Sequence, residues 1–141
     1  MINKPLKAAI AGCGRISVCY EDAFRRLPDL VTPVLAVDKD PEKAKAFAEK
    51  FGCRWSTDFD DILDAGVDVV HLCLPHDLHP VMAIKAMKAG IHVLTEKPVA
   101  TTLQDADAMI RTQQETGVKL GVIFQTRYTK SVEKLKEMIS R

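Results

Sequence analysis

The chain has 141 residues, the length of one domain with one hydrophobic core. Hydrophobic residues at 47% and charged residues at 28% exclude a disordered or fibrous protein. Twenty basic against nineteen acidic residues, a net charge of +1, provide no global field for nucleic acid or an anionic membrane, and no apolar run approaches the roughly 20 residues that span a bilayer.

Short runs of Val, Ile, Leu and Ala alternate with segments of helical period, which predicts an α/β, doubly wound, mostly parallel sheet with helices on both faces. A strand is predicted over 6–11, a helix over 15–27 ended by Pro28, and a second strand over 31–37 closed by Asp38. Asp40 reads as the N-cap of the next helix, Pro41 as its first residue, Ala44, Phe47, Ala48 and Phe51 as its apolar face, and Gly52 as its terminator. A short strand over 53–56 leads to a small helix over 58–65 closed by Gly66, and "VDVVHLCL" at 67–74 reads as a central strand stopped by Pro75. Asp77 is expected to cap a helix reaching Ala89, with Pro80 tolerated in its first turn and Gly90 closing it. After a strand over 91–95, "TLQD" at 102–105 fits a capping box for a helix to Glu115, ended by Gly117. A strand over 119–124 and an amphipathic helix over 132–139 complete the chain; Val132, Leu135, Met138 and Ile139 form its apolar face, expected to pack on its own sheet.

Cys13, Cys19, Cys53 and Cys73 have no CxxC spacing, and the N-terminus has no secretory pattern, so free thiols in a reducing cytoplasm are expected. His76 and His79 in "LPHDLHP" invite a metal reading, but no carboxylate or cysteine partner stands at a regular spacing. No metal site is expected, and both histidines are assigned to hydrogen bonds with a ligand or a helix end.

"AGCGRIS" at 11–17 lies where a dinucleotide turn belongs, after the first strand and opening the first helix. Gly12 permits the tight turn and Gly14 leaves room for a pyrophosphate at the positive helix end. Ser17 replaces a third glycine and is expected only to shift the helix slightly. Asp38, 24 residues beyond Gly14, is near the usual spacing for the acid that bonds ribose hydroxyls. Its carboxylate favours NAD over NADP by repelling a 2'-phosphate, an effect Lys39 and Lys43 partly offset. The alternatives are a βα turn that binds no nucleotide and an Asp38 that serves only the turn before Asp40. "TEKPVA" at 95–100 follows a strand at the same sheet edge, so Glu96, Lys97 and Pro98 are expected toward the nicotinamide end. A partly desolvated lysine there suits taking a proton from an alcohol losing hydride. The alternative for this pair is a surface Glu-Lys contact.

"AGCGRIS" with Asp38, "LCLPHDLHPVMAIKAMKAGIHVLTEKPVA" and "GVIFQTRY" resemble, in order and spacing, the N-terminal Rossmann domain of the Gfo/Idh/MocA oxidoreductases, from about Leu6 to the last helix. The resemblance implies an NAD(P)-dependent dehydrogenase or reductase of sugars, cyclitols and related polyols or carbonyl compounds. It implies that Gly12, Cys13, Gly14, Arg15 and Ile16 hold the pyrophosphate, Asp38 the adenosine ribose with Lys39 beside it, and Leu74, Pro75, His76 and His79 the cleft wall. It places Glu96 and Lys97 at the nicotinamide ribose, with Lys97 the catalytic lysine, and Gln125 and Arg127 where the chain turns toward a substrate domain. Family members continue into that second domain, which supplies an aspartate and a histidine near the substrate and commonly the oligomer interface. The division expected is therefore 1–125 as the dinucleotide-binding domain and 126–141 as a linker helix, binding NAD weakly and turning nothing over by itself. The alternative function is a stand-alone NAD(P)-binding or redox-sensing module; a third reading is a decayed cleft that binds nothing.

Overall fold

The computed structural model describes residues 4–140. The apolar runs become β1 (Leu6–Ala11), β2 (Val31–Val37), β3 (Arg54–Ser56), β4 (Val69–Leu72), β5 (His92–Glu96) and β6 (Leu120–Ile123). They form one sheet in the order β3, β2, β1, β4, β5, β6, every pairing parallel. Alternation along β1 sends Ala8 and Ile10 to one face and Ala9 and Ala11 to the other, and each set enters a separate core.

On the first face lie α1 (Ser17–Arg26) and α2 (Pro41–Phe51), through Tyr20, Phe24, Phe47 and Ala48. Phe24, Phe47 and Phe51 meet with ring centroids 5.0 to 6.4 Å apart. On the second face lie α3 (Asp60–Asp64), α4 (His79–Lys88) and α5 (Leu103–Thr116), through Ile62, Ala83, Ala86, Met87 and Met109. The Rossmann doubly wound architecture expected from the sequence is thus the observed one.

The caps of α2 form as read: Asp40 accepts a hydrogen bond from the Glu42 N–H at 3.1 Å, Pro41 is the first residue, and Gly52 closes the helix at φ 64°. Several other boundaries move, each for a local reason. α1 starts at Ser17 rather than at residue 15, because both the N–H and the Oγ of Ser17 donate to the Gly14 carbonyl, at 3.1 and 2.6 Å. α3 starts at Asp60 rather than 58, because Asp58 N–H donates to Ser56 Oγ and Asp60 N–H to Asp58 Oδ1. Asp77 does not cap α4; a 3₁₀ turn, His76–Leu78, intervenes and α4 starts at His79. At α5 the Thr102 hydroxyl accepts from the Asp105 N–H and donates to the Asp105 carboxylate, so only half of the capping box forms.

The last helix departs most from expectation. α6 (Lys130–Ile139) follows a 3₁₀ turn, Gln125–Tyr128, and buries none of its residues: Leu135 is 55% and Met138 65% exposed. It does not pack on the sheet.

Candidate functional site

Because all six strands run the same way, their carboxyl ends share one edge. The strand order reverses between β1 and β4, whose following helices lie on opposite faces, and a crevice opens there. The turn 12–16 follows β1, Asp38 and Lys39 follow β2, residues 73–76 follow β4, Glu96 ends β5, and Gln125 follows β6. From β2 to β6 this edge spans four strand spacings, about 19 Å.

Gly12 has φ 93°, donates its N–H to the Val37 carbonyl at 2.8 Å, and lies so close to β4 that a Cβ there would strike the Cys73 carbonyl group. A Cβ on Gly14 would meet nothing within 4 Å, so that residue faces open space. Asp38 braces the turn: its Oδ2 accepts from the Cys13 N–H at 2.8 Å and its Oδ1 from the Asp40 N–H at 2.9 Å. Cys13 thereby commits its N–H to a carboxylate and ties the glycine turn to the end of β2. Its thiol, pushed up to about 12 by burial and then by the Asp38 charge, stays protonated. The N–H groups of Gly14, Arg15 and Ile16 find no acceptor among the described residues. They stand at the N-terminus of α1, where orphan donors and the helix dipole favour an anion.

On the other side of the crevice the expected residues separate. Pro75 and His76 are exposed and Leu74 half-buried, forming a wall. His79 is 0% exposed, with Nδ1 2.9 Å from the Pro98 carbonyl oxygen and Nε2 3.0 Å from that of Leu74. Both ring nitrogens therefore face backbone carbonyls next to the start of α4, beneath the wall, in line with the helix-end alternative read for this histidine. His76 and His79 stack edge to face at 5.7 Å, and no group of three or more metal-ligating side chains occurs among the described residues.

Glu96, expected to project into the cleft, instead turns toward α1, buried, and its Oε1 accepts from the Tyr20 hydroxyl at 3.0 Å. Burial, followed by the negative potential of Cys73 and Glu96, holds the Tyr20 phenol protonated and far above its usual range. Lys97 is exposed rather than partly desolvated, and it forms no ion pair with Glu96. Its peptide bond to Pro98 is cis. Gln125 and Ile16 stand at the rim of a mainly apolar hollow of about 370 Å³ between α1 and the sheet, floored by Tyr20, His71, Leu94 and Ile123.

Tyr20 and His71 belong to this region and carry no motif that marks them in the sequence. Helical spacing from the glycine turn, which puts Tyr20 one turn past Ile16, was the only signal for Tyr20. Together these groups offer anion-seeking N–H donors in the middle, a fixed carboxylate at one end and a cationic side chain at the other.

Residues 6–124 match the Gfo/Idh/MocA family model, described as an oxidoreductase family with an NAD-binding Rossmann fold. The chain is 30% identical over 99% of its length to a D-glucoside 3-dehydrogenase from Escherichia coli (strain K12), and 34% identical over 89% to a 4-carboxy-2-hydroxymuconate-6-semialdehyde dehydrogenase from Sphingobium sp.. It covers 40% of each, so it spans about two fifths of the length of the curated relatives it matches. Its structure is similar to that of the WlbA dehydrogenase from Bordetella pertussis in complex with NADH and UDP-GlcNAcA, with a TM-score of 0.95 and 33% identity over 99% of this chain and 42% of the other. The family match over residues 6–124 falls on the six-stranded parallel sheet and its glycine turn, and the chain belongs to the Gfo/Idh/MocA oxidoreductase family, of which it contains the NAD-binding Rossmann fold.

Proposed function

We propose that this chain is the nicotinamide-dinucleotide-binding part of an oxidoreductase that moves hydride between NAD and a hydroxyl or carbonyl carbon of a sugar, cyclitol or related polyol. The observation that carries the reading is the Asp38 brace, which sets a carboxylate beside three uncommitted N–H groups at a helix N-terminus. In this arrangement Gly14, Arg15 and Ile16 meet the pyrophosphate, and Asp38, already oriented by two backbone donors, retains lone pairs for the ribose hydroxyls. Lys43 lies 3.2 Å from Asp40, so its charge is engaged away from Asp38, which favours NAD over NADP.

The bound nicotinamide supplies the hydride chemistry. Leu74, Pro75 and His76 wall the dinucleotide, Glu96 and Gln125 bound its nicotinamide end, and Lys97 gives or takes the substrate hydroxyl proton. Lys97 is exposed and open to an incoming substrate hydroxyl. Residues 1–125 are accordingly the dinucleotide domain and 126–141 the link onward, the first three residues and Arg141 lying outside those described. Substrate positioning contributes on the order of 7 to 11 kcal/mol in favourable cases, and the groups assigned here serve the dinucleotide, so these 141 residues by themselves bind it without turning over a polyol.

Fluorescence titration with NADH and NADPH tests this. Saturable NADH binding is expected, with NADPH weaker and Asp38→Asn narrowing the difference; absence of saturable NADH binding overturns the reading, and polyol oxidation at an enzymatic rate overturns the division of labour. A second reading, a stand-alone nucleotide-binding module acting through a protein partner, is favoured by the uncovered apolar face of α6. An open reading frame continuing past Arg141 for the remaining three fifths of the relatives' length decides against it.

A further inference from the structure

We propose that Tyr20 and His79 are positioning residues that clamp Lys97 through its two neighbours in sequence. The inference rests on the role given to Lys97 above. Lys97 is exposed and makes none of the ion pairs formed among the described residues, so nothing holds the side chain itself. The residues on each side of it are held firmly. Glu96 accepts the Tyr20 hydroxyl at 3.0 Å, in a contact buried from both sides. The Pro98 carbonyl faces His79 Nδ1 at 2.9 Å, and His79 is completely buried.

The two clamps come from different walls of the crevice. Tyr20 belongs to α1, one turn beyond the glycine turn, and His79 opens α4, one turn beyond Leu74, to whose carbonyl its other nitrogen points at 3.0 Å. Lys97 is thereby tied to the turn that seeks the pyrophosphate and to the wall across from it. A buried donor or acceptor that loses its partner is costly, so each clamp resists displacement of the backbone it holds. His79 therefore serves the site without touching a ligand, and Tyr20, which no motif marks, serves it equally.

The experiment has a ligand-free arm and a ligand arm, with Tyr20→Phe, which keeps the ring against His71, and His79→Leu, which removes both ring nitrogens. Without ligand, amide hydrogen exchange at Lys97 and Val99 rises about tenfold in each variant while Ile10 in β1 keeps its protection. With ligand, affinity for NADH falls about tenfold in each variant while affinity for ADP-ribose, which lacks the nicotinamide end, is unchanged. His79→Asn, whose amide donor lies near the Nδ1 position, restores both. Unchanged exchange at Lys97 and Val99 in both variants overturns the clamp, as does an equal loss of NADH and ADP-ribose binding. Raised exchange in the variants with no NADH binding by the wild-type chain keeps the clamp and overturns the proposed function instead.

Discussion

His71 sits in the middle of β4 with its Nδ1 buried and without a hydrogen-bond partner, edge to face with Tyr20 at 4.9 Å. Burial lowers its pKa from 6.5 to about 4, because the imidazolium would lose its hydration with nothing to replace it. The unfolded chain takes up this proton near pH 6.5, whereas the folded chain does so only near pH 4. Stability contributed by the neutral ring is therefore fully present at neutral pH, is lost as pH falls through that window, and changes no further below it. The difference corresponds to about 3 kcal/mol. Urea unfolding at pH 7 and pH 4.5 should show the loss in the wild type and a much smaller one in His71→Phe, whose ring keeps the aromatic contacts; an identical slope in the two proteins would remove His71 from the account.

At the level of the turn, Gly12 and Gly14 look alike in sequence and differ in structure. Gly12→Ala forces a side chain against the Cys73 carbonyl at a φ of 93°, pushing β1 and β4 apart at their paired ends. Overpacking and left-handed strain together cost about 2 to 4 kcal/mol. Gly14→Ala meets open space at an ordinary φ, so stability changes by less than about 0.5 kcal/mol. Its methyl group would occupy the space left for a pyrophosphate, and NADH affinity should fall while the melting curve stays put. Paired melting and NADH titrations check this, and equal effects of the two substitutions on both measurements would refute it. The same comparison explains how much was legible. Signals carried by a residue's own backbone, such as the Asp40 cap, Gly52, and the glycine turn with Asp38, were readable from spacing. The starts of α1 and α3 were misplaced because the Ser17 and Ser56 hydroxyls and the Asp58 carboxylate compete for nearby backbone groups. The inward turn of Glu96 and the burial of His79 depend on partners 76 and 19 residues away in sequence, at spacings no local pattern records.

For the molecule as a whole, two cores on opposite faces of the sheet account for every large buried hydrophobic side chain among the described residues, and α6 contributes to neither. Deleting residues 130–141 should therefore shift unfolding stability by less than about 0.5 kcal/mol, whereas Phe24→Ala, which opens the α1 core, should cost about 3 to 5 kcal/mol. The helix itself poses a further question, because ten residues fall short of the roughly 12 to 15 at which an isolated helix becomes even marginal in water. The Lys134–Glu137 pair at 3.0 Å is exposed and adds only a few tenths of a kcal/mol, far below the roughly 4 kcal/mol that a nucleation constant of about 10⁻³ represents. Burial of Leu135, Met138 and Ile139 would supply the difference, at about 1.5 to 3 kcal/mol for each fully buried side chain. Amide exchange in α6 is thus expected to be nearly unprotected in this chain alone and strongly protected once a partner or further domain covers that face. Strong protection in the isolated monomer would contradict this, and would mean that the helix finds a seat on its own sheet after all.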